Sequence, residues 1–137
     1  MAEKTFKLEV ITPDRVVLSD NQITSVVVPG SEGYLGVLAN HAPLVAELGV
    51  GRLELRRADG GSDAMALTGG FVEVLDNTVT VLAQTAELAQ EIDPERAEKA
   101  VKRAEERLTT GSDVDMDRAQ AALKRALNRL NVAHFNQ

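Results

Sequence analysis

Six basic side chains in the last third of the chain have the types and spacing expected of a phosphate-binding surface. They are Arg96, Lys99, Arg103, Arg107, Arg125 and Arg129. The first four recur every three or four residues, so they form one stripe along a helix, and the last two are i,i+4 neighbours. Guanidinium groups bind phosphate oxygens through parallel N–H donors. Asp93 or Glu87 could accept hydrogen bonds from an adenine amino group or a ribose hydroxyl, so the pattern indicates a nucleotide site if two helices fold together.

Spacing alone favours a simpler interpretation, in which the same charges form a solvated helix face. Glu95 and Lys99, like Glu98 and Lys102, have the i,i+4 spacing of helical ion pairs. Each such pair contributes only about 0.2–0.5 kcal/mol to helix stability. The charge pattern by itself therefore leaves the choice between a ligand site and a solvated surface open.

Other chemistry finds little support in the residue pattern. The glycine-rich segment 29–36 lacks the GxxxxGK[ST] spacing of a phosphate loop and is followed by strand-like residues, so it predicts a connection between strands. His41 and His134 are far apart in sequence and belong to no metal-ligand motif, and the chain has no cysteine. No nucleophile elbow is present. We therefore expect no catalytic residues and no metal site, and an enzyme is the least supported class.

Charge is divided unequally along the 137 residues. Residues 1–90 hold 6 Lys/Arg against 12 Asp/Glu, whereas residues 91–137 hold 9 of each. An acidic body argues against nucleic acid or an anionic membrane as a partner. No apolar stretch approaches the roughly 20 residues that span a bilayer, so we also expect no direct membrane insertion.

The residues before position 87 predict an antiparallel β-sandwich. Short apolar runs recur at intervals of about 8 to 12 residues, which is typical of a sandwich or barrel. They lie near residues 5–11, 14–18, 22–28, 34–38, 43–47, 50–57, 63–68, 71–75 and 78–83. Tight turns are expected at Asp59-Gly60-Gly61 and at Asp76-Asn77. With few aromatic residues, the core must be mainly aliphatic. The first domain is assigned to residues 1–86.

Residues 87–137 predict an antiparallel helical hairpin, which makes the chain a β plus α protein. Asp93 is a suitable N-cap and Pro94 suits a first helical turn. Gly111-Ser112 breaks the helical pattern, and the next N-terminus would be favoured by Asp113, Asp115 and Asp117. The two apolar stripes comprise Ala97, Ala100, Val101, Ala104 and Leu108, then Met116, Ala119, Leu123, Ala126, Leu127 and Leu130. Alanine buries little apolar area, so the hairpin is either permanently docked or able to leave the sandwich as a unit.

Several separated motifs, in order along the chain, resemble the epsilon subunit of bacterial F-type ATP synthases. They are Thr12-Pro13-Asp14, the block from Pro29 to Pro43, Gly69-Gly70-Phe71-Val72-Glu73-Val74, Val79-Thr80-Val81-Leu82-Ala83 and Ala122-Leu123-Lys124-Arg125-Ala126. The resemblance implies a β-sandwich followed by two helices, in a non-catalytic rotor subunit that couples proton flow to ATP synthesis. It also implies binding to the gamma subunit and the c-ring, with Glu32 and His41 in the regions that make those contacts.

In this family the hairpin can lie folded on the sandwich or extend towards the beta and alpha subunits, where it restrains ATP hydrolysis. Some members bind ATP on the folded hairpin through an Ile/Leu-Asp-x-x-Arg-Ala motif. The matching residues here are Ile92, Asp93, Arg96 and Ala97, and accessory positions fall on Glu87, Arg103, Arg125 and Arg129. The resemblance thus implies ATP as a regulatory ligand, no required cofactor, and Mg²⁺ neither required nor excluded.

The resemblance also implies a peripheral location at the cytoplasmic face of the cell inner membrane. Two rival interpretations stay open at this point. One is a free-standing ATP sensor that binds no gamma subunit, and the other is a β-sandwich adaptor whose helices dimerise and bind no ATP.

Overall fold

The computed structural model describes residues 4–110 and 115–135, in which seven strands precede two helices. The strands are β1 (Phe6–Ile11), β2 (Val16–Gly30), β3 (Gly33–Leu38), β4 (Leu44–Arg57), β5 (Ser62–Leu75), β6 (Thr78–Ala83) and β7 (Ala86–Leu88). A single 3-10 turn at Ala89–Glu91 leads to α1 (Pro94–Thr110) and α2 (Met116–Ala133). The expected β-sandwich and helical hairpin are confirmed. Neither helix, over the residues described, is long and apolar enough to cross a membrane.

The expectation of nine short strands is wrong, because three long strands each absorb two of the predicted runs. β2, β4 and β5 each continue through the gap that separates two predicted apolar runs. In β5 the gap includes Gly69-Gly70, where both φ angles are positive. A Cβ at Gly70 would collide with the backbone carbonyl of Leu82. These glycines bend a continuous strand and let β6 approach it closely, so they do not end it.

The predicted tight turns are confirmed. Gly60 has φ +91°, and the carboxylate of Asp59 accepts a hydrogen bond of 2.7 Å from the Gly61 N–H between β4 and β5. Asp76 and Asn77 both have positive φ between β5 and β6, as a type I′ hairpin requires. The segment 29–36 likewise contains a strand connection, as predicted: residues 31 and 32 join β2 to β3.

The sheet closes on itself, and one of its pairings is parallel. The strand order is β1-β6-β5-β4-β2-β3, and β1 also pairs with β2. Among the described strands, all pairings are antiparallel except that of β1 with β6, in which Ile11 is opposite Leu82. The first strand enters between β2 and β6 and thereby closes the barrel-like sandwich. β7 pairs with β5 and straddles the expected boundary between residues 86 and 87.

The interior of the sandwich is aliphatic apart from Phe6 and Met65. Its largest fully buried side chains include Leu8, Ile23 and Leu53. On the sheet surface, Arg57 forms ion pairs with Asp20 (3.1 Å) and Asp63 (2.8 Å) and so joins β2, β4 and β5. The hydrogen bond to Asp63 raises the pKa of Arg57 above its ordinary value, although burial opposes this shift. This carboxylate–guanidinium group is a structural brace.

The hairpin lies folded on the sandwich, with α2 in contact with β4 and β5 and α1 packed on α2. A second apolar cluster joins the two domains. It comprises Ala64, Ala66, Ala89, Ile92, Ala97, Val132 and Ala133, with Leu130 and Phe135 beside it. The predicted stripe of α2 needs correction, because Met116 and Leu127 are exposed while Val132 and Ala133 are buried. Gly111, Ser112 and Asp113 lie outside the described residues.

Candidate functional site

A cavity of about 460 Å³ lies where α2 crosses the sandwich. Its walls come from the β1–β2 connection, β5, the segment joining β6 to β7, β7 itself, and α2. The lining residues are Thr12, Asp14, Arg15, Ala66, Thr68, Gln84, Thr85, Ala86, Glu87, Arg125 and Arg129. Three guanidinium groups therefore face two carboxylates across one cleft, which leaves a net positive charge. This composition suits an anionic ligand that also carries hydroxyl or amino groups.

Glu87 and Arg129, both predicted site residues, are bonded to each other. Arg129 donates from Nε to Glu87 Oε1 at 2.7 Å and from Nη2 to Oε2 at 3.0 Å. The pairing of β7 with β5 places Glu87 beside Ala66, on the face that α2 covers. About a third of each side chain is exposed, so solvent screens this bidentate pair. A ligand in the cleft would compete with it.

Arg125 lies one helical turn before Arg129 and is fully available. Its side chain is exposed and lines the cavity. Among the residues that the structure describes, no carboxylate forms an ion pair with Arg125. An unpaired guanidinium beside a paired one is the feature of the cleft whose chemistry best suits a phosphate group.

The four motif residues at the start of α1 have clear structural roles. Asp93 is the predicted N-cap: its Oδ1 accepts hydrogen bonds from the N–H groups of Glu95 (3.0 Å) and Arg96 (3.4 Å). Ile92 and Ala97 are buried in the second apolar cluster. The motif therefore starts α1 and anchors it against the sheet, while the side chain of Arg96 is exposed.

The structure does not bring the whole predicted set together. Arg96 and Arg103 are exposed on α1, and neither belongs to the lining of the cleft among the described residues. Within the same described segments, neither Glu95–Lys99 nor Glu98–Lys102 forms an ion pair. Lys99 and Lys102 are therefore not held by these carboxylates, and Arg96 and Arg103 lie apart from the cleft that contains Glu87, Arg125 and Arg129.

A second cavity, of about 480 Å³, adjoins the first through Arg125. It lies between the end of α1 and the start of α2 and is lined by Arg107, Asp115, Arg118 and small alanine side chains. Arg107 belongs to the predicted stripe, whereas Arg118 was missed. Arg118 lies seven residues before Arg125, and this spacing, which places both on one face of α2, could have predicted its position beside Arg125.

Polar contacts hold α2 on the sheet, and the sequence pattern did not predict them. Asn128 donates to the carbonyl oxygen of Gly51 at 2.8 Å, and Arg52 donates to Asn131 Oδ1 at 2.9 Å. The Arg52 guanidinium also lies 5.9 Å from the ring centroid of Phe135. Asn128 and Asn131 lie on the last turns of α2 and Phe135 follows its end, so this end of the helix is held to the sheet.

Glu32 and His41 lie at opposite ends of β3. Glu32 is exposed on the two-residue connection between β2 and β3, where Gly30 pairs with Gly33. His41 is exposed in the β3–β4 connection, with Nδ1 2.6 Å from the carbonyl oxygen of Ala42. That connection is tied to the β5–β6 turn because Asn40 donates to Asn77 Oδ1 at 2.7 Å.

Over the residues described, no group of three potential ligands could hold a metal ion.

The outer face formed by β4, β5 and β6 carries a row of exposed apolar side chains that the sequence pattern did not predict. Phe71 of β5 pairs with Leu82 of β6, and both are more than half exposed, as is Val45 of β4. Glu47 and Glu73 lie beside them on the same face. An exposed apolar row of this kind is typical of a protein–protein contact.

Comparison with known proteins accounts for both parts of the chain. Residues 5–89 match the family described as ATP synthase, delta/epsilon chain, beta-sandwich domain. Residues 90–134 match the long alpha-helix domain of the same chain.

Two relatives with similar sequences are ATP synthase epsilon chains. That of Syntrophomonas wolfei is 51% identical over 113 residues, covering 82% of each chain. That of Pelotomaculum thermopropionicum is 52% identical over 108 residues, covering 79% of each. A chain of the Euglena gracilis mitochondrial ATP synthase, from a cryo-EM structure that includes the c-ring, superimposes with a TM-score of 0.83 at 26% identity, over 95% of this chain and 82% of that one.

Proposed function

The chain belongs to the epsilon-chain family of F-type ATP synthases, and on that premise we propose that its folded hairpin binds ATP and thereby regulates the rotor. It is a non-catalytic subunit of the central stalk. The cleft between α2 and the sandwich carries the proposal, because it gathers Glu87, Arg125 and Arg129 in one place. The arginines would bind phosphate oxygens, and Glu87 would accept from the base or the ribose.

Nucleotide binding in this cleft would stabilise the folded hairpin. The ligand would contact α2 and the sheet together, and an extended hairpin separates those two surfaces. A ligand that binds one state alone shifts the equilibrium by about 2.7 kcal/mol at 100 times its Kd. Moving a population from 1:99 to 99:1 requires about 5.5 kcal/mol of preference. ATP at moderate affinity can therefore control the hairpin only if the two states are closely balanced.

When ATP is scarce, the hairpin would leave the sandwich and extend towards the beta and alpha subunits. Its exposed Arg96, Lys99 and Arg103 would then be free to meet acidic segments there, which would restrain ATP hydrolysis. The second apolar cluster supports this movement, since it is built largely from alanine and buries much less apolar surface than the core of the sandwich.

The sandwich would bind the gamma subunit and the c-ring. The exposed row of Val45, Phe71 and Leu82 supports a protein partner on the outer sheet face, and the ends of β3 present Glu32 and His41 for further contacts. Through the c-ring the chain would couple proton flow to ATP synthesis while lying peripherally at the cytoplasmic face of the inner membrane.

The decisive test is an ATP titration of the full chain by calorimetry, with Arg125→Ala as the variant. Because Arg125 is exposed and has no ion-pair partner among the described residues, its loss should not disturb the fold. We expect ATP affinity to fall about tenfold or more, since hydrogen bonds to charged groups contribute about 1.5–3 kcal/mol. Lys124→Ala removes a neighbouring exposed charge and should bind as the native chain does. Equal affinities for all three chains would refute the site.

A further inference from the structure

We propose that Arg15, from the sandwich, is a third arginine of the nucleotide site and binds a phosphate group together with Arg125 and Arg129. This inference rests on the proposed ATP binding and extends it to a residue outside the hairpin. Arg15 lines the same cleft as the two α2 arginines. A nucleotide held by all three would join the two domains directly.

The topology of the sheet is what brings Arg15 to the cleft. β1 runs parallel to β6, with Val10 opposite Val81 and Ile11 opposite Leu82, so the carboxyl ends of both strands lie at the same end of the sheet. The chain leaving β6 leads through Gln84 and Thr85 to Glu87. The chain leaving β1 turns through Thr12 to Arg15. An antiparallel pairing would have placed the carboxyl end of β1 at the opposite end of the sheet, far from the cleft.

The β1–β2 connection holds Arg15 in a defined position. The Thr12 N–H donates to the carbonyl oxygen of Arg15 at 2.9 Å, and the Arg15 N–H donates to Thr12 Oγ1 at 3.3 Å. Pro13 restricts the backbone between them. The Thr12-Pro13-Asp14 motif therefore has a specific use, which is to fix the backbone from which the Arg15 guanidinium enters the cleft.

In the structure, Arg15 Nη2 lies 3.0 Å from Glu91 Oε2. Both side chains are well exposed, at 53% and 39%, so solvent weakens this ion pair. Glu91 belongs to the 3-10 turn that precedes α1. A doubly or triply charged phosphate chain is a stronger partner for a guanidinium than one exposed carboxylate. Arg15 can therefore exchange Glu91 for the ligand at little cost.

The remaining wall of the cleft is compatible with a nucleotide. Thr68 and Thr85 place their hydroxyl oxygens 2.6 Å apart on the sheet side, and Gln84 adds an amide. These neutral groups can donate to and accept from a ribose or a phosphate. The carboxylates of Asp14 and Glu87 oppose the anion, so three arginines are needed to keep the cleft positive when two carboxylates line it.

The test compares ATP affinities of three single variants of the full chain by calorimetry. Arg15→Ala should bind ATP about tenfold or more weakly. Glu91→Gln breaks the same ion pair but frees the guanidinium, so it should bind about two- to fivefold more tightly. Arg56→Ala, which removes an exposed arginine elsewhere on the sheet, should leave the affinity unchanged.

Opposite effects of Arg15→Ala and Glu91→Gln support a ligand contact. If both variants weaken binding equally, the ion pair only supports the fold and the assignment of Arg15 is overturned. If the native chain binds ATP and Arg15→Ala binds it equally well, Arg15 is again excluded while the proposed function survives. Absence of ATP binding by the folded native chain would overturn both proposals.

Discussion

Truncation of Val132 to alanine should release the hairpin without unfolding the sandwich. Val132 is completely buried at the centre of the second apolar cluster, between α2, α1 and the sheet. The change removes two methyl groups from a packed site, which costs about 2 kcal/mol when the cavity does not collapse. Because this cluster is separate from the sandwich core, the cost should fall on docking of the hairpin.

The expected magnitude follows from that free energy. A loss of about 2 kcal/mol raises the population of the open hairpin about 30-fold. Hydrogen exchange measured by mass spectrometry should therefore accelerate about 30-fold in α2, while amides of β5 and β6 retain their protection. Val16→Ala, at an exposed valine on the sheet, is the matched control and should change neither region.

Equal acceleration in α2 and in the central strands would refute this reasoning. It would mean that the hairpin and the sandwich unfold as one cooperative unit, so that the hairpin could not act as a switch. Unchanged exchange in α2 would instead show that the second cluster does not hold the hairpin.

Two further predictions concern the fold itself. Gly70→Ala should lower the free energy of unfolding by about 3 kcal/mol or more in a urea titration, because φ is +117° and a Cβ would meet the carbonyl of Leu82. Gly36→Ala, where a Cβ would meet no other atom, should leave the free energy of unfolding nearly unchanged. Equal losses in the two variants would contradict the close approach of β6 to Gly70. Asp115→Ala should lower the stability measured by thermal melting by about 1 kcal/mol, since Asp115 Oδ1 accepts hydrogen bonds from two N–H groups of α2. Asp117→Ala removes the same charge but no cap. An equal loss of stability in both variants would attribute the effect to the helix dipole alone.

Local signals in the sequence were sufficient for the tight turns and for the start of α1. Asp59-Gly60-Gly61 and Asp76-Asn77 specify their turns because few residues tolerate positive φ, and Asp93 specifies the start of α1 because its carboxylate satisfies two free N–H groups. The same local logic failed at Gly69-Gly70. A glycine pair there bends a strand in one tertiary setting and would end it in another, and only the close passage of β6 distinguishes the two.

The site shows the same division. The residue pattern pointed to Glu87, Arg125 and Arg129, and the structure brings these three to one cleft, whereas Arg96 and Arg103 lie elsewhere on α1. Helical periodicity places residues on a face of their own helix, but it carries no information about which helix meets the sheet. The exposed row containing Phe71 and Leu82 was missed for a related reason, because alternation along a strand does not tell which face is inside.

The order of the two domains, the tight turns, the cap of α1, the aliphatic core and the family follow from the residues alone, because each depends on residues close together in the chain or on separated motifs taken in order. The parallel pairing of β1 with β6, the packing of α2 on the sheet, and the presence of Arg15 and Arg125 in one cleft are visible only in the folded chain. Those outcomes depend on contacts between residues as much as 79 positions apart, such as Arg52 and Asn131. Such contacts are chosen by the packing of whole elements, which no local pattern records.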